Sequence, residues 1–286
     1  MRFASFRSEG RTGLATAVGL DAPFVGFYSD EGGYPGSLDQ VIQGGRTALE
    51  AAAEALKKGT VIDLDRVVLF PPLSAPGKII CVGLNYIDHS LESGFTPPDY
   101  PTIFARFTSS LIGAGAPIMR PRVSEQLDYE GEMVAVIGAG GRHIAEEDAL
   151  QHVIGYSIFN DASVRDYQKK SPQWTIGKNF DNTGAFGPWL VTEDELPAGG
   201  EGLRIQTRVN GAVVQDASTK DMIFGVAKLI SILSEAMTMS PGDIIVSGTP
   251  AGVGMARTPP RFMKDGDVRE VEIEGIGLLR NQIKDE

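Results

Sequence analysis

Cysteine is almost missing from this 286-residue chain: Cys81 stands alone, which excludes an internal disulfide. Its setting, the apolar run Lys78-Ile79-Ile80-Cys81-Val82, predicts a buried, inert thiol suited to a reducing compartment. Positive charge is also in deficit. With 26 basic against 37 acidic residues the net charge is -11, which argues against a surface that neutralises a phosphate backbone, so nucleic acid is not an expected partner. No apolar stretch approaches the roughly 20 residues of a membrane helix, and the first residues lead into no signal-like apolar region. A membrane partner is not expected, and the expected location is cytoplasmic. At 42% hydrophobic and 22% charged residues, the composition is that of a folded globular chain and not a disordered one.

The β signals outnumber the helical ones. Apolar or alternating runs at Lys78 to Val82, Tyr129 to Ile137, Tyr156 to Phe159, Leu203 to Val209, Asp243 to Ser247 and Val268 to Glu274 predict strands. Asn210-Gly211 predicts a two-residue hairpin turn, because a type I′ turn needs positive φ at both central positions. Two segments predict helices: the alanine-rich Arg46 to Lys58, followed by Gly59, and Asp221 to Met237, with a capping-box start at Ser218 and Asp221. Pro71-Pro72 and Pro76 interrupt the chain and place a boundary near residue 72. Strands not regularly separated by helices disfavour a doubly wound parallel sheet.

Four constellations carry chemistry. Glu130 and Glu132, in Asp128-Tyr129-Glu130-Gly131-Glu132, lie two apart at the start of a strand and so point to one face. A bare Glu-x-Glu also describes a solvated strand edge. Asp161, which ends the next apolar run, adds a third oxygen donor, and three carboxylates suit a hard ion such as Mg²⁺ or Mn²⁺. In Gly83-Leu84-Asn85-Tyr86-Ile87-Asp88-His89-Ser90-Leu91-Glu92, a helix capped by Asn85 or Asp88 sets His89 and Glu92 three apart, as a general base with its supporting carboxylate or as a surface ion pair. Lys178 is a candidate for holding a substrate oxygen, with a solvated loop lysine as the alternative. Gly248-Thr249-Pro250-Ala251-Gly252-Val253-Gly254 offers close backbone approach and the Thr249 hydroxyl, but no Walker lysine. The run Gly138-Ala139-Gly140-Gly141 is better read as a turn than as a dinucleotide loop.

Together these elements resemble the fumarylacetoacetate hydrolase family, whose catalytic domain carries an Asn-Tyr-x-x-His-x-x-Glu helix, a Glu-x-Glu strand, an Asp after a following strand and a Gly-Thr-Pro-x-Gly-Val-Gly loop, in the order found here. The likeness runs from Lys78 to about Asn281. It implies an α+β, β-rich fold: a mixed β-roll over residues 73–286, with a small N-terminal α/β domain over residues 1–72, assembled as a homodimer. It further implies that Glu130, Glu132 and Asp161 bind Mg²⁺ or Mn²⁺, and that His89, Glu92 and Lys178 are catalytic. Asn85, Tyr86, Arg106, Arg165, Gln168 and Thr249 are then the candidate substrate contacts. Arg106 stands where acylpyruvase-like members tend to have lysine, and Leu84 where several have arginine.

The first functional expectation is a metal-dependent hydrolase that cleaves a carbon-carbon bond in an acylpyruvate, such as maleylpyruvate or fumarylpyruvate from aromatic-acid breakdown, releasing pyruvate. The alternatives are a 2-oxo acid decarboxylase or keto-enol isomerase on the same scaffold, and, from another class, a non-catalytic relative that binds metal or 2-oxo acid. A nicotinamide oxidoreductase rests only on the glycine run at Gly138.

Overall fold

The computed structural model describes residues 1–286. Along the chain come strands β1 (Arg2–Ser8), β2 (Arg11–Ala17) and β3 (Val25–Tyr28), helix α1 (Gly45–Leu56), strand β4 (Ile79–Gly83) and helix α2 (Ile87–Glu92). Strands β5 (Thr102–Ala105), β6 (Gly131–Ile137), β7 (Val153–Asp161) and β8 (Gly184–Thr192) follow. The second half holds β9 (Arg204–Val209), β10 (Ala212–Ser218), helix α3 (Val226–Ala236), β11 (Ile244–Val246), β12 (Val268–Ile273) and β13 (Gly277–Asp285). A large mixed sheet runs β3-β2-β1-β8-β7-β6-β11-β4-β5, and a smaller one runs β10-β9-β12-β13, each extended by short edge segments. This is the mixed, strand-rich α+β architecture expected.

Burial of β6 on both faces explains its unbroken apolar sequence. Met133, Ala135 and Ile137 pack into one core with Ile205, Val271 and Leu279 of the smaller sheet and with Leu229, Ile230 and Leu233 of α3. Val134 and Val136 point the other way, into a second core closed by Leu49, Ala52, Ala53 and Leu56 of α1. That i, i+3, i+4, i+7 spacing gives α1 a single apolar stripe. Phe3 and Leu14 join the same second core, and β1 pairs with β8 through Arg2 and Phe3, so the first 72 residues share a sheet and a core with the remainder. No helix is long and apolar enough to cross a membrane.

The β9–β10 hairpin turns on Asn210 and Gly211, both at positive φ as a type I′ turn requires. The predicted Asp221 to Met237 helix is shorter than expected. The Ser218–Asp221 capping box is present but closes only the single turn Thr219–Asp221, and α3 begins at Val226. Between them the chain bends, because Ile223 and Phe224 donate their backbone N–H groups to the Asn85 carbonyl and side chain. Strand β8 escapes sequence reading: Gly184, Gly187 and Pro188 mark breaks locally, and only pairing with β7 on one side and β1 on the other makes a strand of them.

One residue of the second sheet opposes the fold. Arg269, on β12, is fully buried, and none of its three guanidinium nitrogens has a hydrogen-bond partner. Burial pushes its pKa well below the ordinary arginine value. Its cross-strand neighbour Asn281 leaves its Oδ1 unpartnered as well. Replacing even a paired buried charge by well-packed apolar side chains of similar volume is neutral or stabilising by up to about 4 kcal/mol, and an unpaired one has no partner attraction to lose. We therefore expect Arg269→Met to raise the thermal midpoint by several degrees in calorimetry; a lowered midpoint would mean that the guanidinium has a stabilising role.

Candidate active site

The site forms where β6, β7 and the loop after β11 meet. The antiparallel register that sets Gly131 opposite Asn160 brings Glu130 against Asp161, and the Asp161 N–H donates to the Glu130 carbonyl at 2.9 Å. Gly131 between the two glutamates leaves no room for a side chain, since a Cβ there would collide with the Thr207 hydroxyl. Glu130, Glu132 and Asp161 are all buried, and each offers a carboxylate oxygen within 4.8 Å of the others.

Cations surround this cluster without neutralising it. Lys178, at the end of the short helix Thr175–Lys178, places Nζ 2.5 Å from both Glu130 Oε2 and Asp161 Oδ2. Arg165 bridges Asp128 at 2.8 Å and Glu130 at 2.6 Å, and Arg106 pairs with Asp161 from behind. Burial alone would raise Glu130, but Arg165 and Lys178 hold it below the ordinary carboxylate range. Glu132 has no cation of its own and accepts only the Gly248 N–H, at 2.6 Å; burial first, then Asp161 and Glu130, pushes its pKa well above normal. Burial would lower Lys178, yet Asp161 and Glu130 hold it above its usual value. Four buried carboxylates, Asp128 included, thus face three buried cations. An all-oxygen donor set with an excess of negative charge fits a hard divalent cation held by Glu130, Glu132 and Asp161.

The second half of the site is the His89–Glu92 pair. Both lie on α2, and His89 Nδ1 is 2.8 Å from Glu92 Oε1. Glu92 also accepts the Gly252 N–H at 2.9 and 3.0 Å, which fastens α2 to the glycine loop. Gly252 sits at φ +108°, and any side chain there would strike the Val214 carbonyl. The helix has no side-chain cap, contrary to the expectation for Asn85 or Asp88. Asn85 instead ties its amide to the backbone of Phe224 and Ser247.

These elements line a cavity of about 210 Å³. His89, Glu130, Glu132, Asp161, Arg165, Gln168, Lys178 and Thr249 all border it. Asn85, Tyr86 and Arg106 do not: Asn85 clamps two loops, Tyr86 is buried away from the cavity, and Arg106 lies beneath Asp161, where it also holds Thr183 and Ser110. Among the bordering residues, Arg165 commits its guanidinium to Asp128, Glu130 and Gln168, and the Thr249 hydroxyl bonds Gly131 and Gln215. Sequence reasoning gave no role to Asp128, although its carboxylate also accepts the Gly254 and Met255 N–H groups and so fastens the glycine loop to Arg165. It also missed Phe104, Trp174, Lys169 and Ser93 in the cavity wall. Trp174, four residues before Lys178, was the accessible signal.

The model of the fumarylacetoacetate hydrolase C-terminal domain matches residues 78–284, and the chain belongs to that family of enzymes. A mitochondrial oxaloacetate tautomerase of Xenopus laevis is 39% identical over 290 residues, covering 99% of this chain and 90% of that protein. The oxaloacetate tautomerase YisK of Bacillus subtilis is 42% identical, covering 87% of each. A solved structure described as the fumarylacetoacetate hydrolase of Exiguobacterium antarcticum superposes with a TM-score of 0.83 at 37% identity, covering the whole of both chains. The curated relatives overturn the expectation of a carbon-carbon hydrolase, because they are named for a keto-enol isomerisation. The physical reason is that stabilising an enolate is common to both chemistries, and the residues read from the sequence serve that common step.

If Glu130, Glu132 and Asp161 form one cation site, Glu132→Gln should weaken Mn²⁺ binding by at least about tenfold, consistent with loss of one charged ligand, while the circular dichroism of the fold is kept. An unchanged Mn²⁺ affinity by calorimetry would show that the cation binds elsewhere.

Proposed function

We propose that the protein is a divalent-metal-dependent keto-enol tautomerase of a 2-oxo acid, with oxaloacetate as the substrate. The observation that carries this reading is the placement of a single carboxylate-supported histidine in the wall of a small cavity whose floor is an acidic cluster crossed by Lys178. That arrangement supplies one proton-transfer group over a centre able to hold an enolate. The names of the Xenopus and Bacillus relatives support oxaloacetate as the particular acid.

When bound, a divalent cation would supply Lewis-acid polarisation of the 2-oxo oxygen. Because Glu92 accepts from Nδ1 of His89, Nε2 is the ring atom left to take or give a proton. In the enol-to-keto direction His89 Nε2 takes the proton of the C2 hydroxyl and then delivers it to C3, so the imidazole ends as it began and no bond to water is made. Lys178 holds positive charge beside the C2 oxygen, where negative charge develops. Phe104 and Trp174 narrow the cavity and limit water around the reacting carbon. We propose Mg²⁺ or Mn²⁺ as the ion, on the strength of the oxygen-only donor set.

A second copy of the chain is the partner we propose, supported by the exposed Ile103 on β5, the free edge of the large sheet, and the exposed Phe107 just after that strand. Light scattering that returns the mass of one chain would refute it. The buried thiol of Cys81 supports a reducing compartment, either cytoplasm or, as the Xenopus relative's name suggests, mitochondrion.

The test of function is to follow the ultraviolet absorbance of enolic oxaloacetate with and without Mg²⁺. We expect metal-dependent acceleration in the native enzyme and a loss of about 10²- to 10⁴-fold in His89→Ala, the usual contribution of a positioned acid-base group. Loss of absorbance at the uncatalysed rate in the native, metal-loaded enzyme would sink the proposal.

A further inference from the structure

We propose that Lys169, together with the Ser93 hydroxyl, forms the recognition site for the distal carboxylate of the substrate and makes the enzyme selective for 2-oxo dicarboxylates over monocarboxylates. The inference rests on the tautomerase reading and names the group that selects the substrate.

Two lysines and one arginine border the cavity. Lys178 is engaged by Glu130 and Asp161, and Arg165 by Asp128, Glu130 and Gln168. Lys169 is the remaining cationic side chain in the wall, and it makes neither an ion pair nor a side-chain hydrogen bond within the protein. Its neighbour Lys170 differs, for its Nζ lies 3.2 Å from the centre of the Tyr167 ring. Lys169 follows directly on the short helix Arg165–Gln168, and its N–H donates to the Arg165 carbonyl at 3.1 Å, so its backbone is fixed beside residues already in the site.

Ser93 supplies an independent observation. It borders the same cavity just past the end of α2, and its Oγ is shielded from solvent with no hydrogen-bond partner. A shielded hydroxyl without a partner is costly unless a ligand completes it. A carboxylate does so, because it accepts from both a hydroxyl and an ammonium.

Charge makes this site necessary for a dianion. The protein carries a net -11, and the cavity floor is itself acidic. The 2-oxo carboxylate end of the ligand has the cation site and Lys178 to meet it. The other end has Lys169, exposed at the cavity wall and the one lysine or arginine there without a protein partner, and a monocarboxylate such as pyruvate has nothing to place there.

The test titrates the native enzyme, Lys169→Met, Lys169→Arg and Ser93→Ala with oxaloacetate and with pyruvate in Mg²⁺, reading the quench of Trp174 fluorescence. Enol absorbance is followed in the same samples. We expect the native enzyme to prefer oxaloacetate by at least about tenfold, the scale of one charge-assisted hydrogen bond. Lys169→Met should abolish most of that preference with pyruvate affinity unchanged, Lys169→Arg should keep it, and Ser93→Ala should reduce it by about threefold. A Lys169→Met enzyme that keeps the preference, a native enzyme without one, or equal weakening toward both ligands would overturn the assignment. A preference that depends on Lys169 in an enzyme that leaves the enol untouched would sustain the carboxylate site and overturn the tautomerase.

Discussion

Like charges forced together in a dry interior are the constraint on which this structure depends. Asp128, Glu130, Glu132 and Asp161 are each at most 4% exposed, and such a group is tolerated only if cations and N–H donors meet it from several directions. They come from distant parts of the chain: Arg106 after β5, Arg165 and Lys178 between β7 and β8, and the N–H groups of Gly248, Gly254 and Met255 after β11. The large sheet, with β6 and β7 buried at its centre, is the frame that brings these segments together. The glycine loop in turn holds Glu92 through the Gly252 N–H, so the acid-base pair on α2 is positioned by the same framework that holds the acidic cluster.

The protein cations do not complete the charge compensation. Glu132 meets only one backbone N–H, and its pKa is raised first by burial and then by the carboxylates of Asp161 and Glu130. A centre left deficient in positive charge is one that a divalent cation and a developing enolate can share, with Lys178 adjusting between its two carboxylates. This explains why one framework serves several reactions of 2-oxo acids and why the motifs specify an enolate chemistry more firmly than a substrate.

Much of this was legible in the sequence because it is local. Glu130 and Glu132 follow from strand periodicity, His89 and Glu92 from helical spacing, and the apolar β6 from its composition. Asp161 is identifiable as the end of the next strand, and the ladder register makes it the third donor. What was not legible is tertiary. Asn85 reads as a cap or a ligand but clamps Phe224 to Ser247, and Arg106 reads as a substrate contact but supports Asp161 from below. Strand β8 is hidden by its glycines and proline, and the hydrolase reading failed because the motifs encode an enolate-stabilising step that both chemistries share.

Anomalous diffraction from crystals grown with Mn²⁺ would locate the cation directly. One strong peak is expected among the carboxylates of Glu130, Glu132 and Asp161, in the cavity that His89 borders. A peak bound elsewhere, or none there at saturating Mn²⁺, would contradict it.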